Sequence, residues 1–276
     1  KATEGVGLPT ASTIVFNGGQ FETNGTFTRT LGTSAGRVFW SPGAGGGFSA
    51  ADGPLTVNIG GAGQTLTWGQ TNFVSSGSDL HFNSTFATDR LLFVNPLNLG
   101  GTNQQIDIYD NPNTRNDYAE ISGTITNGGL IVNGAGGSGN KGLLLLSATN
   151  SYSGDTRISW GILRADEGKG LTTTGRLALT YGTLETHGSF NRSVGFNPGQ
   201  VFWSGVGTNN SYTDQGGFSA YGGELIVNLG GTGAVQTWNQ NGFVDQYDKL
   251  QFNSIYSTDR VLFQNDIKME PAHNLL

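Results

Sequence analysis

The chain of 276 residues contains no cysteine, one methionine, three histidines and seven prolines. The lack of thiols excludes disulfides, cysteine nucleophiles and thiolate metal sites. It suits an extracellular bacterial protein that does without cross-links. Charge is scarce as well: 12% of residues are charged, against about a quarter in an average domain. The 14 basic side chains are outnumbered by 20 acidic ones, giving a net charge of −6 and a pI near 4.9. Nucleic acid demands a basic footprint, so it is excluded as a partner. The longest apolar runs, such as Leu143 to Leu146, are far below the ~18 residues of a membrane span. Direct membrane insertion by this segment is therefore not expected. The N-terminus shows no signal-peptide pattern, so an exported chain would be a mature or internal piece. Few prolines and no three-residue glycine period exclude collagen, and missing heptads exclude a coiled coil.

Glycine, by contrast, is abundant. It accounts for 46 of 276 residues, roughly 17% against a usual 7% or so. Such a backbone must hold many left-handed turns or close approaches. Phe, Trp and Tyr make up 11% of the chain, too much for a disordered linker. An all-β chain with many tight turns is what remains.

The decisive signal is an internal repeat. Ala2-Thr-Glu-Gly-Val-Gly-Leu8 returns as Ala165-Asp-Glu-Gly-Lys-Gly-Leu171, an offset of 163. Gly36-Arg-Val-Phe-Trp-Ser41 returns as Gly199-Gln-Val-Phe-Trp-Ser204 at the same offset. Seven extra residues then enter the second copy around 207–213, and the offset becomes 170. At that offset Gly47-Phe-Ser-Ala50 matches Gly217-Phe-Ser-Ala220, Trp68 matches Trp238, and Thr88-Asp-Arg90 matches Thr258-Asp-Arg260. One unit thus spans 1–163, and 164–276 is a second, incomplete one. The expectation is a window of a longer tandem array.

Within a unit, short alternating runs such as Leu55-Thr-Val-Asn-Ile59 and Leu225-Ile-Val-Asn-Leu229 read as strands, and none has helical period with caps. Gly-Gly, Asn-Gly and Asn-Pro turns separate them. The unit is too long for a propeller blade, so a β-solenoid is expected. Coils of about 20–25 residues, each rising about 4.8 Å, would give six to eight per unit. Gly46-Gly47, Gly60-Gly61 and their counterparts Gly216-Gly217 and Gly230-Gly231 are expected at coil corners. Asn58, Asn83, Asn95 and Asn98, with Asn228, Asn253 and Asn265, suit ladders of stacked amides.

Residues 129–163 carry a family signature. Gly142-Leu-Leu-Leu-Leu-Ser-Ala-Thr-Asn150, Tyr152, Gly154, Thr156, Ile158, Gly161 and Leu163 resemble the autotransporter-associated β-strand repeat, also called the passenger-associated transport repeat. Ala148 stands where the usual form has glycine. The flanks, including Gly216-Gly-Phe-Ser-Ala-Tyr-Gly-Gly-Glu-Leu-Ile-Val-Asn-Leu-Gly-Gly231, look like giant secreted repeat proteins of planctomycetes and their relatives. The resemblance implies a right-handed parallel β-helix, extracellular or at the surface of a bacterial outer membrane. It also implies that Asn150, Tyr152, Gly154, Thr156, Gly161 and Leu163 are structural, and that the motif holds no catalytic residue.

Chemistry-bearing residues are few. Gly134-Ala-Gly-Gly-Ser-Gly139 satisfies a dinucleotide-binding pattern, but Leu143-Leu-Leu-Leu reads as a strand where a phosphate site needs a helix. Asp107, Asp110, Asp117 and Glu120 form the densest oxygen-rich stretch and are the candidate Ca²⁺ ligands. A glycosidase or lyase would need facing carboxylates, and Asp79 with Asp89 or Asp245 with Asp248 would have to supply them. Asp89-Arg90 and Asp259-Arg260 occur in both copies, which a turn ion pair explains. His81 aligns with Gln251 and His187 with Asn24, so both read as strand-face polar residues rather than catalysts. Trp40, Trp68, Trp203, Trp238 and Trp160 are either core or, where exposed, platforms for glycans. No cofactor and no catalysis are expected. The reading is a structural segment of a large surface or secreted protein, a stalk, fibre or filament. Its partners would be adjacent repeats of the same chain or head-to-tail copies. A carbohydrate-binding adhesin is the first alternative, a polysaccharide lyase or hydrolase the second.

Overall fold

The computed structural model describes residues 1–61, 63–135, 141–203, 215–245 and 248–269. It is all-β: 23 strands and no helix among the described residues. Every strand-to-strand ladder is parallel, and 16 strands join one sheet. Parallel pairing cannot be closed by a two-residue hairpin, so each strand must return to its neighbour by a long connection. Successive partners are accordingly 19 residues apart at Leu143↔Ile162 and 36 apart at Leu55↔Leu91. The spacing varies more widely than the 20–25 residues expected from the sequence, because turns between rungs differ in length while the rungs stay in register.

Two long rows of rungs result. In the first, residues 46–48 pair with 80–82, and the row continues through 106–108, 130–133, 156–158 and 177–179 to 201–203. In the second, residues 55–57 lead through 91–93, 119–121, 143–146 and 162–164 to 183–185. Shorter ladders join 66–67, 97–98 and 125–126. Residues 183–186 are the sequence counterpart of 20–23, yet 20–23 stack on 47–50. The second copy is therefore displaced by one row relative to the first.

Alternation puts Leu80, Phe82, Ile106, Ile108, Leu130, Val132 and Ile158 on one side, where all are buried in a single continuous core. Burying each such side chain contributes about 1.5–3 kcal/mol. Parallel rungs pack inward positions over one another, as Phe48, Phe82 and Ile108 in the first row, while Phe82 also meets Phe93 of the second row with ring centroids 5.3 Å apart. The matched copies repeat their core contacts. Trp40 meets Phe73 edge-on at 5.0 Å, and Trp203 meets Phe243 edge-on at 5.1 Å.

Glycine serves two separate purposes. Gly60-Gly61 and Gly230-Gly231 turn corners with φ of 73° and 93°, and 74° and 85°. Gly46-Gly47 and Gly216-Gly217 are not corners: they begin the Gly46–Val57 strand and lie in the Gln215–Val227 strand. A Cβ on Gly47 would strike the His81 carbonyl, and one on Gly217 the Gln251 carbonyl. Asparagine also differs from expectation. Asn83, Asn95, Asn253 and Asn265 bond backbone groups about one coil away rather than each other. Asn95 Oδ1 accepts from Ile59 N at 2.7 Å, and Asn265 Oδ1 from Leu229 N at 2.6 Å. Asn127 does donate to Asn98 Oδ1 at 3.0 Å, the amide contact nearest to a ladder. Residues 207–213 and 136–139 lie outside the described residues.

Candidate functional site

The face of the first row turned away from the core carries most of the molecule's chemistry. Register fixes two lines running across successive rungs. One is His81, Asp107, Asn133 and Ser159; the other is Gln105, Ile131, Arg157, Ala178 and Phe202.

At one end of this face, Asp79, His81 and Asp107 bring their ligand atoms within 4.8 Å of one another. His81 Nε2 lies 3.6 Å from Asp107 Oδ2, while Asp107 Oδ1 accepts from Gln105 Nε2 and Asn133 Nδ2, each at 2.9 Å. Burial pulls the His81 pKa down, against the opposing pull of Asp107 and Asp79. Burial, reinforced by Asp107, raises that of Asp79. One imidazole and two carboxylates could hold a zinc-like cation with an open position, but fall short of the six to eight oxygens Ca²⁺ takes. In the second copy Lys249 and Gln251 replace Asp79 and His81, so this cluster belongs to the first copy alone.

The four candidate Ca²⁺ ligands do not converge. Asp107 faces His81. Asp110 is buried and accepts from Tyr256 Oη at 3.2 Å, across 146 residues of sequence. Asp117 Oδ2 accepts from Asn111 N at 2.6 Å. Glu120 sits in the second row, bonded to Ser147 Oγ at 2.7 Å and Arg90 at 3.4 Å. The cause is the corner between Tyr109 and Ala119, which sends the ends of this stretch to different rows. Arg90 pairs with Glu120 and Arg260 with Glu224, so neither arginine head forms the expected turn pair with its neighbouring aspartate. Asp89 instead accepts from the Arg90 backbone N–H at 2.8 Å.

Asp117 carries a consequence. Burial raises its pKa from 3.8 to about 6, and its Oδ1 is buried without a partner. Between those values the folded state binds the extra proton, so Asp117 makes stability fall as pH rises from about 4 to 6. Asp117→Asn should remove this slope. With solvent screening discounted, it should gain on the order of 1 kcal/mol at pH 7.5. Thermal melts across pH 4–8 check it. An unchanged slope would show that Asp117 ionises normally.

The tryptophans divide sharply. Trp40, Trp68 and Trp203 are 2%, 4% and 5% exposed, so none can stack on a glycan. Their Nε1–H groups donate to the backbone, Trp40 to Gly46 O at 2.9 Å and Trp203 to Gly216 O at 3.0 Å. Trp238 is half-buried against Phe243 and donates to Asp245 O. The signature residues face inward or hold corners. Asn150 accepts from Ile125 N and donates to Gly170 O, both at 2.8 Å. Tyr152 is fully buried, its hydroxyl 2.8 Å from Thr156 Oγ1. Gly154 abuts the Gly128 carbonyl, Gly161 lies against Gly134, and Leu163 is core. Gly134 lies in the Gly129–Ala135 strand and Leu143–Leu146 is a strand, so no helix follows the glycine-rich run.

Trp160 is different. It is half-buried, and its ring stacks on Tyr181 with centroids 4.0 Å apart and planes 8° from parallel. Both rings border a depression of about 400 Å³ lined also by Gln105, Asn133 and Arg157. A neighbouring depression of about 210 Å³ continues from Arg157 to Arg176, Asp155 and Phe202. Arg176 is held by Asp155, its Nε 3.0 Å from Oδ2, which keeps the Asp155 carboxyl below its ordinary range. The sequence placed Trp160 among five tryptophans that are either core or, where exposed, platforms for glycans, without singling it out. The aromatic-glycine pairs Trp160-Gly161 and Tyr181-Gly182, 21 residues apart, matched by the 21-residue register of Arg157↔Ala178, were the signal available.

No family model, curated protein or solved structure matches the chain.

Proposed function

We propose that the chain is a segment of a right-handed parallel β-solenoid whose role is mechanical, a stalk or filament of a secreted or cell-surface bacterial protein. One observation carries this reading: the unbroken parallel ladders, in which each rung pairs only with the rung before and the rung after. Such stacking adds stiffness along one axis with nearest-neighbour contacts alone. The buried ion pairs support it, because they recur at matched places and clamp one turn of chain to the next. Arg29 Nε donates to Glu4 at 2.9 Å and Arg192 Nε to Glu167 at 2.8 Å. Glu22 accepts from Ser84 Oγ at 2.8 Å, and Glu185 from Ser254 Oγ at 2.6 Å. These bonds tie each turn of chain to the next. The open rung of 261–263, with Leu262 40% exposed, is a surface on which a further coil or a second copy would stack.

Electron micrographs of the purified chain at rising concentration test the reading. The expected result is rods of constant width that lengthen, with aligned samples giving a reflection near 4.8 Å along the rod. Particles of fixed short length, without that reflection, would sink it.

A further inference from the structure

We propose that the depression centred on Arg157 binds an acidic sugar chain, with Arg157 taking the carboxylate of a uronate unit and the Trp160–Tyr181 stack flanking its ring. This site is independent of the mechanical role above and would stand if that reading failed.

The first argument is an unpaired cation. The Arg157 side chain makes no hydrogen bond or ion pair among the described residues, and its Nε is buried without a partner. Native proteins seldom leave a buried donor unsatisfied, and where they do a ligand is one explanation. The other arginine of this face, Arg176, is neutralised by Asp155. Arg157 is therefore the residual charge of both depressions. Its planar fork suits a carboxylate held by two parallel hydrogen bonds.

The second argument is backbone strain. Among the described residues, nine non-glycine residues have positive φ, and seven are asparagine or aspartate. The remaining two are Trp160 at 62° and Tyr181 at 63°. Bulky residues in this region are strained and tend to persist where function holds them. Here they share one wall of the depression, stacked on each other. Paired aromatic surface with flanking amides, Gln105 and Asn133, is how proteins hold a sugar's apolar face and its hydroxyls. A solenoid corner needs no aromatic there, since asparagine fills the same conformation elsewhere in the chain.

Charge and shape name the occupant. The face is linear, its lines run across rungs about 4.8 Å apart, and its acidic end at Asp79 and Asp107 lies beyond Asn133. A chain ligand with a carboxylate near its middle avoids that end and meets Arg157. A neutral chain would leave the guanidinium charge unpaired.

Calorimetry with a galacturonate tetramer and its methyl-esterified form tests the proposal. The acid should bind, and the ester, which has the same shape without the charge, should bind about tenfold more weakly. Arg157→Gln breaks no side-chain hydrogen bond or ion pair among the described residues and should lose about tenfold in affinity with an unchanged melting temperature. Trp160→Asn relieves the strained backbone, so it should melt no lower than wild type while binding at least about fivefold more weakly. Equal binding of acid and ester, wild-type affinity in Arg157→Gln, or no binding of the acid at about 10 mM would each overturn it.

Discussion

Arg192→Ala is expected to cost about 3–5 kcal/mol of stability, a large share of the ~5–15 kcal/mol of an ordinary domain. Arg192 is 7% exposed. It donates to Glu167, to Thr172 O at 2.6 Å and to Gly175 O at 3.1 Å. Truncation strands two carbonyls and a carboxylate whose other oxygen is already buried without a partner. Arg29 makes the matching set, to Glu4, Pro9 O and Ser12 O. Arg29→Ala should therefore lose a similar amount. Denaturant unfolding of both variants measures it. Arg192→Lys, which keeps the charge but not the fork, should fall between and gives a reading if the alanine variant does not fold. Losses under about 1 kcal/mol would show the clamp to be an exposed, solvated pair.

Trp203→Ala and Trp40→Ala should each cost about 3–5 kcal/mol through the cavity alone. An orphaned carbonyl, Gly216 O or Gly46 O, adds about 1–3 kcal/mol. Phenylalanine at either position keeps part of the edge-on contact with Phe243 or Phe73 but drops the indole donor. It should cost roughly the orphaned carbonyl alone. Melting curves separate the two substitutions. A phenylalanine variant as damaged as the alanine one would assign the loss to shape rather than to the hydrogen bond.

Much of this structure could be read from the sequence because the repeat is literal. Offsets of 163 and 170 predict which side chains play the same part twice, and the Glu-Arg and Trp-carbonyl bonds obey them. Strand runs were legible for the same reason, since inward positions alternate. The outward site was not. His81 meets Asp107 across 26 residues, Asn133 meets Asp107 across another 26, and Leu91 meets Leu55 across 36. The 26-residue step holds for His81, Asp107, Asn133 and Ser159 but is 21 at Arg157↔Ala178 and 36 at Leu55↔Leu91, because turn lengths vary while the rungs keep register, so no single period spans the chain. Asp110 reaching Tyr256 across 146 residues is further still from anything a local pattern could show. Arg157 gave no signal at all: an arginine on an alternating strand looks solvated until its neighbours are known.

One hydrogen bond shows how tolerant this architecture is. Trp40 reaches Gly46 O six residues on, and Trp203 reaches Gly216 O thirteen residues on, at 2.9 and 3.0 Å. Doubling a loop adds only about 0.6 kcal/mol of closure entropy. The chain thus already contains its own graft experiment: seven residues inserted between two anchor points, with the anchors unmoved. Residues 41–45 of the first copy mark the place where foreign peptides could be spliced for display between the same two anchors.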